Sequence, residues 1–125
     1  MTRFVLDASV VLAWCFEGEE EPLAELALDS LQAGEASVPP IWPVEVGNAL
    51  LVAERRGRTK PAGTTRSLEL IRNLRIRIVE DGAGADPSGD AAYLALAIRE
   101  GLPLATLDSA LRKTARKTGI PLLGE

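Results

Sequence analysis

Histidine is absent from the 125 residues. Without imidazole, Ser-His-Asp and Cys-His nucleophile schemes are closed to this chain, and so is RNA cleavage by a histidine pair. Hydrolysis near neutral pH is then left chiefly to carboxylates with a divalent metal, or to a carboxylate nucleophile. Cysteine occurs once, at Cys15. A lone thiol forms no intramolecular disulfide, which fits a reducing compartment, and no Cys/His cluster remains for structural zinc. Long apolar runs are missing too, and none approaches the roughly 18 residues of a membrane span. Asp7 breaks the N-terminal run, and Glu17, Glu19, Glu20 and Glu21 follow with no small-residue cleavage site between. No signal peptide is therefore expected, and the chain reads as cytoplasmic. Basic excess is also lacking. A net charge of −4 argues against broad coating of DNA. It leaves room for a nucleic acid met by a local basic patch or a metal.

What is present suits one domain spanning 1–125. Hydrophobic residues make up 46%, enough for a sizeable core, and no repeat, low-complexity tract or linker interrupts them. Phe4 to Leu6 reads as a buried strand, and Ala8 to Phe16 as a buried helix with Asp7 at its N-cap. Leu23, Leu26, Ala27 and Leu31 mark a helix over Pro22 to Gln32, closed by Gly34. Ala36 to Val38 is a strand. Pro43 suits the first turn of a helix carrying Val46, Ala49, Leu50 and Ala53 on one face, with Gly57 past its end. Residues 61–75 predict a helix with a broad apolar face, 76–79 a strand and 80–89 a loop. Asp90 to Glu100 is apolar almost all round and predicts a buried helix ended by Gly101. Leu104 to Leu107 is a strand, Asp108 caps a last helix, and Ile120 to Leu123 is a final strand. Short apolar strands alternating with helices predict an α/β fold, with a parallel sheet covered on both faces.

In such a sheet, ligands bind where strand C-termini meet helix N-termini. Four acids from distant parts of the chain fall on that edge. Asp7 ends the first strand, Glu45 lies in a first helical turn, Asp90 begins a helix, and Asp108 follows a late strand. Capping and the helix macrodipole alone account for any one of them. All four together, with Ser9, Asn48 and Thr106 spaced to face them, point to a site. Asn48 is three residues after Glu45 on its helix, and Thr106 is two before Asp108 on the same strand face. Close carboxylates repel until one takes up a proton or a cation sits among them. Mg2+ and Mn2+ prefer hard oxygen ligands, and a bound water of lowered pKa can attack a phosphodiester. Spacing leaves open whether one metal or two would bind.

Four segments, "FVLDAS", "PVEVGNALL", "DAAYLALA" and "GLPLATLDSAL", in this order and spacing, resemble PIN-domain ribonucleases. They are most similar to the VapC-type toxins of bacterial and archaeal toxin–antitoxin modules. The resemblance covers nearly the whole chain. It implies a three-layer α/β/α PIN-like fold around a central parallel sheet of four or five strands. It also implies Mg2+- or Mn2+-dependent endonucleolytic cleavage of RNA, a homodimer, and a small antitoxin that covers the site, often with an arginine. Asp7, Glu45, Asp90 and Asp108 correspond to the family's acidic positions, which carry catalysis and the metal. Ser9, Asn48 and Thr106 correspond to its polar supporting positions. There is one departure: Gly89 stands where similar members carry a bulky residue before the third acid, and Asp86 lies four residues earlier as a competitor. Asp108 is followed by Ser109, so no fifth acid is expected there.

The basic stretches "ERRGRTK" and "LRKTARK" offer Arg55, Arg56, Arg58 and Lys113 either as phosphate contacts or as solvated helix ends. "EGEEE", Glu17 to Glu21, reads as solvated surface. Trp14, Phe16 and Trp42 read as core. Trp42, between prolines, is also the better candidate for an interface or an RNA stacking platform. Tyr93 reads as core or dimer interface, and Cys15 as buried and inert.

A metal-dependent endoribonuclease toxin is the leading reading. A phosphatase with an aspartyl nucleophile wants a second acid two residues after Asp7, where Ser9 stands. A receiver-type phospho-acceptor wants an acidic pair at the first strand and a lysine after a late strand, and neither is evident. The alternative is a PIN-like RNA- or protein-binding module that keeps the fold and has lost catalysis, a reading the Gly89 departure keeps open.

Overall fold

Apolar runs too short for helices take the centre of the molecule. Residues 2–16, 21–80 and 89–125 are described by a computed structural model. The strands are β1 (Arg3–Leu6), β2 (Glu35–Val38), β3 (Ile76–Ile78) and β4 (Leu104–Ala105). The helices are α1 (Ala8–Cys15), α2 (Pro22–Ser30), α3 (Trp42–Arg55), α4 (Pro61–Arg72), α5 (Gly89–Glu100) and α6 (Ser109–Lys117). All strand pairs are parallel, with Phe4 opposite Ala36, Ser37 opposite Arg77 and Leu6 opposite Ala105. Phe4, Val5 and Leu6 are fully buried, as a strand covered on both faces requires. Each contributes about 1.5–3 kcal/mol of burial. That anchors the strand end from which Asp7 projects. Helix α1 packs against α2, α3 and α4, while α5 lies on β1 and β4. The result is the three-layer α/β/α arrangement.

The strand order is β3-β2-β1-β4. The chain steps outward from β1 through β2 to β3, then returns across the sheet to lay β4 on the other side of β1. The order therefore reverses between β1 and β4. A crevice opens beyond strand C-termini at such a switch point. Asp7 follows one of these two strands, and Thr106 and Asp108 follow the other.

Several expectations change. The segment Ile120 to Leu123 adds only a parallel bridge, Leu104 to Leu122, so the sheet has four strands. Helix α5 is not buried all round. Tyr93, Leu96 and Ala97 face inward, while Ala91, Ala95 and Ile98 are exposed, Ile98 by 63%. Its apolar residues outnumber the positions the sheet can cover. In α4 only Ser67 is buried, and the expected apolar face leaves Leu68 and Leu70 exposed. Gly34 has no left-handed backbone. Its need for glycine is close approach, since a Cβ there would collide with the Thr2 carbonyl oxygen. The expected loop and the competing Asp86 fall largely outside the described residues, as do Glu17 to Glu20.

Candidate active site at the sheet switch point

Asp7 occupies the N-cap position of α1 with an extended backbone, yet its side chain caps nothing. Its Oδ2 instead accepts hydrogen bonds from Ser9 Oγ at 2.6 Å and Thr106 Oγ1 at 2.7 Å. Both hydroxyls are held in turn. Ser9 Oγ accepts from the Leu107 N–H at 2.9 Å, and Thr106 Oγ1 from the Asp108 N–H at 3.0 Å. Thr106 is fully buried, and Asp7 is 8% exposed. The two hydroxyls thus tie the end of β1 to the end of β4. A carboxylate this buried, met among the described residues by two neutral hydroxyls on one oxygen, is not explained by helix capping.

Asp108 behaves differently. Its Oδ1 accepts from the Leu111 N–H at 3.0 Å and caps α6. Its side chain is exposed, and its second oxygen faces no described donor. Glu45, in the first turn of α3, is half-buried, and its Oε1 accepts from the Tyr93 hydroxyl at 2.5 Å. Tyr93 comes from α5 and is 1% exposed. Burial pushes its phenol well above the usual range, and the bond to Glu45 and the charges of Glu45 and Asp7 act the same way. It therefore stays a donor. Asp90 sits in the first turn of α5 with an exposed side chain. Partial burial raises its carboxyl above the ordinary carboxylate range, and the charges of Asp108 and Asp7 push it further.

Asp90 thus feels the charges of Asp108 and Asp7, and among the described residues no ion pair offsets them. Ion pairs among the described residues join Arg3 to Glu35, Arg112 to Glu125 and Arg116 to Glu125, and none of these involves the four. Arg112 comes nearest by connection, since its Nη1 donates to the Thr106 carbonyl at 2.9 Å, but its other arm is taken by Glu125. Hard oxygens without a basic partner fit Mg2+ or Mn2+ in kind. Among the described residues, no three of these carboxylates stand close enough to share one ion.

The structure distributes the remaining candidates more widely. Asn48 is exposed, one turn beyond Glu45, and lines surface clefts beside Leu12 and Phe16 and beside Pro43 and Val44. Arg55 and Arg56 are exposed at the other end of α3, ten residues past Glu45 and so about 15 Å away along the axis. Arg58 lies over the Phe16 ring at 4.6 Å. Lys113 is exposed on α6. Trp42 is only 6% exposed and belongs to the core, so it offers no stacking platform. Trp14 donates to the Ala24 carbonyl at 2.7 Å and joins α1 to α2. Cys15 is half-buried rather than buried. Burial raises its thiol pKa, against the opposing effect of a Ser67 hydrogen bond, which keeps it a poor nucleophile. The sequence reading missed the role of Tyr93. A signal was there, because Tyr93 is three residues after Asp90 and so shares its helix face.

The PIN domain profile matches residues 4–117. No curated protein matches the sequence. Among solved structures, the crystal structure of PAE2754 from Pyrobaculum aerophilum is similar, with a TM-score of 0.63 and 23% sequence identity. That match covers 88% of this chain and 77% of that one, and it is a likeness of fold. PIN domains are commonly nucleases and generally use divalent metal ions. With the profile matched across nearly all its strands and helices, this chain belongs to the PIN domain family.

Proposed function

We propose that this protein is a Mg2+- or Mn2+-dependent endoribonuclease, acting in the cytoplasm as the toxin of a toxin–antitoxin pair. One observation carries the reading. Four carboxylates, from the end of β1, from α3, from α5 and from the end of β4, come to the region of one switch point. No ion pair to a basic side chain holds any of them among the described residues, and Asp90 is raised by burial and then by the charges of Asp108 and Asp7. Such a set is unfavourable alone and suited to a cation.

Asp7 would hold the metal through the oxygen that Ser9 and Thr106 leave free. Asp90, Asp108 and Glu45 would supply further oxygens, directly or through waters the ion keeps. Ser9 and Thr106 keep Asp7 from turning away, as outer partners of metal ligands do. When bound, the ion supplies an activated water and neutralises charge on the phosphoryl oxygens. Asn48 supports from α3. Arg55, Arg56, Arg58 and Lys113 contact RNA phosphates away from the carboxylates, which draws an anionic strand to an acidic protein. One domain over 1–125 acts as a homodimer, and a cognate antitoxin covers the acidic edge.

A second reading is a non-catalytic PIN-like RNA- or protein-binding module. It is favoured by the absence, among the described residues, of three carboxylates close enough to share an ion. Expression in a bacterial host separates the two. The toxin reading expects growth arrest with fragmented cellular RNA, both lost in Asp7→Asn. Normal growth and intact RNA with the wild-type chain overturn it.

A further inference from the structure

The least expected contact at the switch point is a tyrosine reaching out of the core to hold an acid. Tyr93 is among the largest fully buried side chains, yet its oxygen meets Glu45 Oε1 at 2.5 Å. Two elements far apart in sequence are joined by this single bond, 48 residues across. Asp90 lies one turn earlier on the same α5, so the helix that presents Asp90 also steadies Glu45 on α3. Glu45 itself makes no capping bond, and α3 has no side-chain cap. Without the hydroxyl, nothing among the described residues fixes its half-exposed carboxylate. A free glutamate side chain loses rotamer entropy on being fixed. A buried donor that fixes it beforehand removes that cost from ligand binding.

We propose that Tyr93 is a positioning residue, whose buried hydroxyl fixes the Glu45 carboxylate so that its second oxygen is presented at the switch point. The claim rests on the metal-site reading above. It concerns orientation only, and Tyr93 touches neither metal nor substrate.

The test is Mn2+ calorimetry on the full chain, comparing wild type, Tyr93→Phe, Glu45→Gln and the double variant, each also melted in chelator. Phenylalanine keeps the ring that fills the core and removes one oxygen. Tyr93→Phe is expected to weaken Mn2+ binding at least tenfold, in the range seen for outer partners of metal ligands. The double variant is expected to bind no more weakly than Glu45→Gln alone, because the hydroxyl acts only through that carboxylate. Unchanged affinity in Tyr93→Phe overturns the proposal, as do losses that simply add in the double variant. A melt of Tyr93→Phe far below wild type in chelator also overturns it, since the residue is then structural. If the wild-type chain binds no Mn2+, the metal reading itself fails, and the positioning claim falls with it. That outcome differs from tight wild-type binding that is indifferent to Tyr93.

Discussion

At the residue scale, the network about Asp7 decides what the rim can hold. Thr106 gives one hydrogen bond to Asp7 and takes one from the Asp108 N–H, in full burial. Thr106→Val keeps the shape, strands the Asp108 N–H and leaves Asp7 Oδ2 with Ser9 as its remaining donor. It should cost about 1–3 kcal/mol, read as a lower denaturant midpoint at unchanged slope. Asp90 gives a pH signature. Its folded pKa is raised, so the fold favours its protonated form. Its contribution is most favourable below the unfolded value, near pH 4, and is lost as pH rises through the raised folded value. In chelator, Asp90→Asn should therefore gain stability relative to wild type as pH climbs through that window, and gain no more above it. A flat difference at all pH values would show that neither burial nor the charges of Asp108 and Asp7 raise this carboxyl in the folded chain.

At the element scale, alternation of short apolar strands with helices made the parallel sheet legible, and with it the edge that gathers Asp7, Glu45, Asp90 and Asp108. The errors have physical causes. Helix α5 was read as wholly buried because it is apolar all round, but a helix on a sheet covers only one side, and Ile98 is left outside. In sequence, the basic residues Arg55, Arg56 and Arg58 read either as phosphate contacts or as a solvated helix end, and α3 carries Arg55 and Arg56 to the end opposite Glu45. Tyr93 was missed although it shares a helix face with Asp90, because an apolar face advertises packing, and its contact with Glu45 came only with the structure. Gly34 was read as a helix stop, whereas it admits the Thr2 carbonyl between β1 and β2. Gly34→Ala should destabilise the chain by about 1–3 kcal/mol or more, seen as a lower melting temperature, because the obstacle is backbone and cannot turn aside. An unchanged melt would mean the β1–β2 register there yields easily.

At the scale of the whole molecule, the fold and its switch point stand on the family match and on the strand order. The proposed chemistry stands on carboxylates with no ion-pair partner among the described residues, in a chain without histidine. On that proposal an acidic protein would need a cation between itself and an anionic polymer, so activity and metal should be inseparable. The direct measurement is cleavage of mixed total RNA by the purified chain in Mg2+, in Mn2+ and in EDTA, beside Asp7→Asn. Fragments that form with either metal, vanish in EDTA and never appear with Asp7→Asn are the predicted result. Cleavage that persists in EDTA or in Asp7→Asn, or no cleavage together with no metal binding, would contradict the account and reduce the acids to features of the fold.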